Sequence, residues 1–132
     1  MKIVIETIPH KDQRYDTVGD WWIDAEGTWQ IRVSQIKTDY GRSFWWAAEF
    51  LVALHELVEM AACLQHGITQ ERVDEFDKNW KYHGDTDEPG DDMDAPYYAE
   101  HQFACGIERL MAAQLGVTWH NYETVIDQFS LS

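Results

Sequence analysis

The sequence is poor in positive charge. Ten Lys and Arg residues stand against 24 Asp and Glu residues among 132, so the formal net charge is −14. Sequence-independent binding to nucleic acid, or to an anionic membrane, needs a cationic surface. The composition therefore argues against both of these partners.

Cysteine and long apolar runs are also scarce. The two cysteines, Cys63 and Cys105, form no CxxC pair, which predicts reduced thiols rather than a disulfide framework. No run of 18 or more apolar residues is free of charge, and the segment 1–6 lacks the hydrophobic stretch and cleavage site of a signal peptide. We therefore expect a cytoplasmic protein.

Apolar and aromatic residues are plentiful. They make up 45% and 14% of the chain, with seven Trp, which is typical of an ordered globular protein rather than a disordered one. A chain of 132 residues is long enough to bury one core, and no internal repeat is visible. We expect a single domain over residues 1–132.

The alternation of apolar and polar residues predicts strands in the first third of the chain. Segments 1–9, 17–24 and 28–34 have this pattern, and Gly27 suits the end of a hairpin loop between the last two. We expect a small antiparallel sheet of about three strands within residues 1–35.

Helical periodicity dominates the remainder, residues 44–130. It predicts helices near 44–66, 69–80, 96–115 and 119–129, with Gly67 and Gly116 ending the first and third. The predicted fold class is α+β, with the sheet packed on a body of about four helices.

The first of these helices is apolar almost all the way round between Ala47 and Gly67, yet it carries ionisable residues in its middle. Buried charges are normally paired, neutralised or bound to a metal. His55 and Glu59 are four residues apart, so they lie on one face as two metal ligands of one helix must. Glu56 lies beside that face and could act as a general base on a coordinated water.

The third helix carries a second mixed face, formed by His101, Cys105 and Glu108. If the two faces meet, His55, Glu59 and His101 supply the two nitrogens and one carboxylate of a catalytic zinc site with an open fourth position. We expect Glu108 or Asp94 to orient His101.

A fourth protein ligand would close the predicted site. Cys63 lies one turn beyond Glu59 on the same face, and Cys105 lies one turn beyond His101. Either thiol would complete a structural rather than a catalytic set.

The segment His55–Glu59 resembles the HExxH motif of zincin metallopeptidases, with Glu in place of the second His. Its ligand types resemble those of the gluzincins, whose ligands are His, His and Glu. The hairpin that precedes the buried motif helix is also similar to the zincin core. This resemblance implies a zincin-like fold and a zinc-dependent hydrolase that acts on a peptide or amide bond. Glu at the second ligand position shifts the preference toward harder divalent metals.

Two further resemblances point elsewhere. The pattern formed by Glu56, Glu59, Glu71 and Asp74 resembles the ExxE…ExxD motif of MazG-type all-α NTP pyrophosphatases, whose four carboxylates hold Mg²⁺. Three segments together are similar to small phage and prophage proteins: Pro89-Gly90-Asp91-Asp92, Ala95-Pro96-Tyr97, and Glu100-His101 with Glu108-Arg109.

A non-enzymatic alternative also remains. His55, Glu59 and His101 would then form a closed core, hydrogen-bonded or stapled by a metal, that links two helices in an acidic protein that binds a host or virion partner. A metal in such a core contributes folding free energy directly.

Overall fold

In the part of the chain that the structure describes, three strands are followed by four helices. The computed structural model describes residues 1–36, 42–81 and 88–130. The elements are β1 Ile3–Ile8, β2 Gly19–Ile23, β3 Trp29–Ser34, α1 Arg42–Gln65, α2 Gln70–Asn79, α3 Tyr98–Gln114 and α4 Trp119–Ser130. The predicted α+β class, with three strands and four helices, is confirmed. The zincin-like label stays a prediction.

The sheet has the order β1-β3-β2 and is mixed. β2 pairs antiparallel with β3, but β1 pairs parallel with it, so the expectation of a wholly antiparallel sheet was wrong. Residues 9–18 carry the chain across the end of the sheet, and Gln13 Nε2 fixes this link by donating to Val18 O and Arg32 O. β2 therefore lies beyond β3 rather than beside β1. Alternation along a strand encodes which face is buried, not which neighbour the strand pairs with.

Helix α1 lies between one face of the sheet and α3. Ile31 and Val33 of β3, together with Leu51 and Met60 of α1, are fully buried in the core. Because α1 is covered by a sheet on one side and by a helix on another, it is apolar around most of its circumference. No helix in the described part of the chain combines the length and apolar character needed to span a bilayer.

The predicted C-terminal ends of α1 and α3 and the predicted start of α2 are confirmed, but α3 begins at Tyr98 rather than near residue 96. Gly67 has φ +73° just after α1, and the N–H of Ile68 donates to Cys63 O at 2.9 Å, which satisfies one of the last free carbonyls of the helix. Thr69 Oγ1 accepts from the N–H of Arg72 and caps α2. Gly116, at φ +71°, follows α3 in the same way as Gly67 follows α1.

Candidate metal centre

Three side-chain atoms converge where α1 meets α3. His55 Nε2 lies 3.2 Å from Glu59 Oε2, and His101 Nδ1 lies 3.1 Å from His55 Nε2 and 2.8 Å from Glu59 Oε2. The three residues are buried, with 6%, 5% and 3% of their surface exposed. The two imidazole rings stand edge to face, with their centroids 4.6 Å apart. The structure thus brings together the residues that helical spacing had selected.

These separations suit a small divalent ion. Tetrahedral zinc with bonds of about 2.0–2.1 Å holds its ligand atoms about 3.3 Å apart. The observed distances of 2.8–3.2 Å need only a small outward movement to reach that value. The residues therefore fit a metal in donor type, number and spacing.

The second nitrogen of His55 is also engaged. His55 Nδ1 lies 2.9 Å from Glu108 Oε1, and the other oxygen of Glu108 accepts a hydrogen bond from the Tyr122 hydroxyl. Metal-binding histidines usually donate their remaining N–H to such a carboxylate, which fixes the tautomer and the ring orientation. Glu108 was expected to orient His101, but the structure places it on His55 instead.

The second nitrogen of His101 is held by the turn that precedes α3. His101 Nε2 lies 3.0 Å from Asp91 Oδ1 and 3.0 Å from Glu88 Oε1. Asp94, the other residue expected to orient His101, is exposed, and its backbone N–H donates to Asp92 Oδ1. The expectation for Asp94 was wrong because the 3₁₀ turn Pro89–Asp91 aims Asp91, rather than Asp94, at the ring.

The carboxylate of Glu59 is fixed from the sheet side. Trp21 Nε1 donates to Glu59 Oε1 at 3.1 Å, so Oε2 is the oxygen directed at the two imidazoles. A β2 residue thereby sets the orientation of a candidate ligand on α1. The sequence contained no signal for this contact because it joins residues on two different elements.

The protonation of the two imidazoles decides what can lie between the converging atoms. If each imidazole donates its outer N–H to a carboxylate, the three converging atoms are all lone-pair acceptors, and acceptors at these distances need a cation or a proton between them. Burial alone would lower the pKa of His55 and His101, but their hydrogen bonds outweigh burial and raise both values. Burial would raise the pKa of Glu59, yet hydrogen bonds to His101 and His55 lower it to about 2.

A cavity of about 30 Å³ adjoins this centre. That volume holds roughly one water molecule. Burial raises the pKa of Glu56 well above its usual value, and the charge of Glu59 adds to the rise. The acidic residues and histidines that line the cavity are Asp20, His55, Glu56, Glu59, Asp77, Glu88 and His101. Glu56 thus faces the same space as the candidate ligands, and Asp20 and Asp77 are acidic neighbours that the sequence did not reveal.

Two glycines allow the backbone to approach the site closely. A Cβ on Gly90 would lie 2.4 Å from His101 Nδ1, and a Cβ on Gly19 would lie 2.6 Å from Glu56 Oε1. Any side chain at these positions would displace a functional group. In the sequence the Pro89-Gly90 pair stood out as part of the resemblance to small phage and prophage proteins.

The two cysteines lie in different surroundings. Cys105 Sγ is 3.6 Å from His101 Nε2 and 4.0 Å from His55 Nδ1. Cys105 therefore lies on the outer side of both imidazoles. It could share a metal ion with His101 Nε2 and His55 Nδ1 only if these nitrogens gave up their contacts with Asp91 and Glu108. Cys63 is fully buried in the apolar core, and burial raises the pKa of its thiol.

The four carboxylates of the pyrophosphatase alternative are not gathered. Glu71 is exposed on α2, and Asp74 Oδ1 lies 3.3 Å from Arg14 Nη2. Neither residue lines the cavity that contains Glu56 and Glu59. The convergence is between α1 and α3, not between α1 and α2.

Comparisons of the chain with protein families, with curated proteins and with solved structures give no match.

Proposed function

We propose that the protein is a metal-dependent hydrolase of minimal zincin type, which binds one divalent transition-metal ion, zinc in the first instance, through His55 Nε2, Glu59 Oε2 and His101 Nδ1. The observation that carries the metal site is the mutual approach of these two buried nitrogens and one carboxylate oxygen to 2.8–3.2 Å. Burial without a compensating cation would be costly for such a set.

The hydrolytic part of the proposal rests on Glu56. A bound divalent ion lowers the pKa of a coordinated water toward neutrality and polarises a carbonyl group. Glu56 lines the adjoining cavity, where its carboxylate can take a proton from a water of that size. The resemblance to the zincin motif makes a peptide or amide bond the proposed target.

The small cavity favours a second candidate function, that of a structural metal. About 30 Å³ admits a water but not a peptide group together with its flanking residues. In this alternative the ion ties α1 to α3 and contributes to folding without turnover. The two candidates share the metal site and differ only in the role of Glu56.

Metal content tests the metal site that both candidate functions share. Protein purified without chelator or histidine tag should contain one equivalent of metal by plasma emission, and the double variant His55→Ala, Glu59→Ala should contain none. The matched control is His66→Ala, Glu100→Ala, which removes a His–Glu contact of 2.7 Å between the turn that follows α1 and helix α3, at a position where His66 is exposed. Metal retained by the first variant would refute the site.

Glu56→Gln distinguishes the two candidates. With metal restored and confirmed, this variant should lose hydrolysis of peptide or amide substrates while keeping its metal. Glu71→Gln, exposed on α2, should leave that activity unchanged, whereas the pyrophosphatase alternative expects it to abolish nucleoside triphosphate hydrolysis. If the wild-type protein binds metal but hydrolyses no substrate, the structural role of the ion remains as the proposed function.

A further inference from the structure

Strand β1 forms one edge of the sheet. Within residues 1–36, 42–81 and 88–130 it pairs only with β3. The N–H of Trp29 donates to Lys2 O and the N–H of Gln35 donates to Ile8 O, so the even-numbered residues of β1 direct their backbone groups toward β3. In a parallel pair the alternate residues direct theirs away from the partner strand. These outward-facing residues are Ile3, Ile5 and Thr7.

Large apolar side chains lie beside this edge. The exposed fractions of Ile5 and Phe50 are 50% and 41%, and the two residues line one shallow groove of about 200 Å³ between β1 and α1. Ile3, at 37%, and Trp46, at 52%, extend the same surface; the Trp46 ring is 6.1 Å from that of Phe50. An open strand edge next to a continuous apolar surface is a template for pairing with another chain.

We propose that two copies of this chain associate by antiparallel pairing of their β1 edges, with Val4 on the two-fold axis. In that register Ile3 of one copy lies opposite Ile5 of the other, so outward-facing residues meet as hydrogen-bonded pairs. The same register places Lys2 opposite Glu6 of the second copy, and it does so twice because the interface is two-fold symmetric.

Charge complementarity selects this register over its neighbours. The outward-facing residues of the two copies lie opposite each other only if the two-fold axis passes through a residue. The alternatives next to Val4 are therefore an axis through Ile3 and an axis through Ile5. An axis through Ile5 would place Glu6 opposite Val4 and leave Lys2 opposite Ile8. An axis through Ile3 would place Lys2 opposite Val4. Only the axis through Val4 pairs opposite charges across the interface.

The pairing would also cover the apolar surface. A two-fold axis perpendicular to the sheet keeps both α1 helices on the same face, so Trp46 and Phe50 of the two copies approach each other above the isoleucines. The result is a continuous six-stranded sheet with the edge of β1 removed. No residue of β1 lines the cavity beside the candidate ligands, so this inference stands independently of the metal site.

Salt should strengthen the association. Each copy has a formal charge of −14, and long-range repulsion between two such chains is screened over about 8 Å at 0.15 M ionic strength. The dimer should therefore be weak in low salt and tighter at physiological ionic strength.

Charge reversal tests the register by sedimentation equilibrium of the full chain over a concentration series. Lys2→Glu or Glu6→Lys places like charges opposite each other twice, and should raise the dimer dissociation constant about tenfold. The double variant Lys2→Glu, Glu6→Lys recreates the opposite-charge pairs and should restore wild-type association. Lys11→Glu and Glu26→Lys, both at exposed positions outside β1, control for the change in net charge and should have little effect.

Backbone hydrogen exchange gives an independent readout. In the wild type, the amides of Ile3, Ile5 and Thr7 should become protected as protein concentration rises, while the protection of β2 stays constant. A wild type that remains monomeric at all concentrations would overturn the proposal. So would a dimer that is indifferent to the single reversals, a double variant that is not rescued, or β1 amides that are protected only when an extended segment of another protein is added.

Discussion

The two nitrogens of each central imidazole have different partners, and this determines how the site is held. Glu108 accepts from two donors, His55 Nδ1 and the Tyr122 hydroxyl, one on each oxygen. A carboxylate can accept from both, whereas an amide has only one oxygen. The substitution Glu108→Gln would therefore leave one of the two buried donors without an acceptor, or force it to rotate away. The geometry at His55 depends on a residue that need not touch the ion.

Gly90→Ala should weaken metal binding without removing a ligand. Its Cβ would lie 2.4 Å from His101 Nδ1, so the imidazole or the turn must move away from the converging atoms. We expect metal affinity, measured by competition with a chelator, to fall at least about tenfold, in line with other changes beside metal ligands. Gly106→Ala on α3 is the control, because a Cβ there meets no atom within 4 Å. Unchanged affinity in Gly90→Ala would mean that the turn moves instead of the imidazole, and would contradict this prediction.

At this scale the sequence predicted the candidate ligands and Glu108, but it gave no signal for the other residues that orient the candidate ligands. His55 and Glu59 were predictable because four-residue spacing on a helix places side chains on one face. His101 followed from the same rule on α3. Asp91, Glu88 and Trp21 belong to a turn or a strand, and their approach to the site depends on how whole elements pack, which no local pattern records.

Helix α2 flanks the site through a half-buried acid, Asp77. The Tyr97 hydroxyl donates to Asp77, and burial raises the pKa of Asp77 to about 7 despite this hydrogen bond. The other carboxylates that face it, Glu59 of α1, Asp20 of β2 and Asp74 of α2, raise the pKa further. Asp77 is therefore easier to protonate in the folded chain than in the unfolded one.

Asp77 should make stability fall as the pH rises from about 4 to 7. In that window the folded state binds more protons at this position than the unfolded state, so each rise in pH favours unfolding. Asp77→Asn removes the titration and should reduce the loss of denaturation midpoint between pH 4.5 and 8, measured in urea with chelator present. Glu75→Gln, exposed on the same helix, should keep the wild-type pH dependence. An identical pH dependence in Asp77→Asn would show that this carboxyl is ionised in the fold.

The boundaries of helices were predictable where residues of the same segment determine them. Caps and glycines marked the helix boundaries near Gly67, Thr69 and Gly116, because a left-handed glycine or a Thr side chain satisfies the end groups of a helix from within the same segment. The parallel pairing of β1 was not predictable. It depends on the link over residues 9–18, whose side chains reach β3 from a distance in sequence.

At the scale of the whole molecule, a metal at this centre would cross-link α1 and α3, the two helices that pack most closely. Chelation should lower the melting temperature. An ion at one hundred times its dissociation constant adds about 2.7 kcal/mol, which corresponds to a shift on the order of 5–10 °C for a chain of this size. Calorimetry with and without chelator measures it, and the His55→Ala, Glu59→Ala variant should show no response. An equal shift in that variant would place the stabilising ion elsewhere.

The ligand set also has a consequence for the order of events during refolding. His55 and Glu59 are neighbours on one helix, but His101 is 46 residues further along the chain. The β2–β3 hairpin and α1 need only local contacts, so we expect them to form early and contacts across that separation to form late. A chain that has just collapsed would therefore bind the ion weakly. Tight binding of the ion would occur at the end of folding rather than at its beginning.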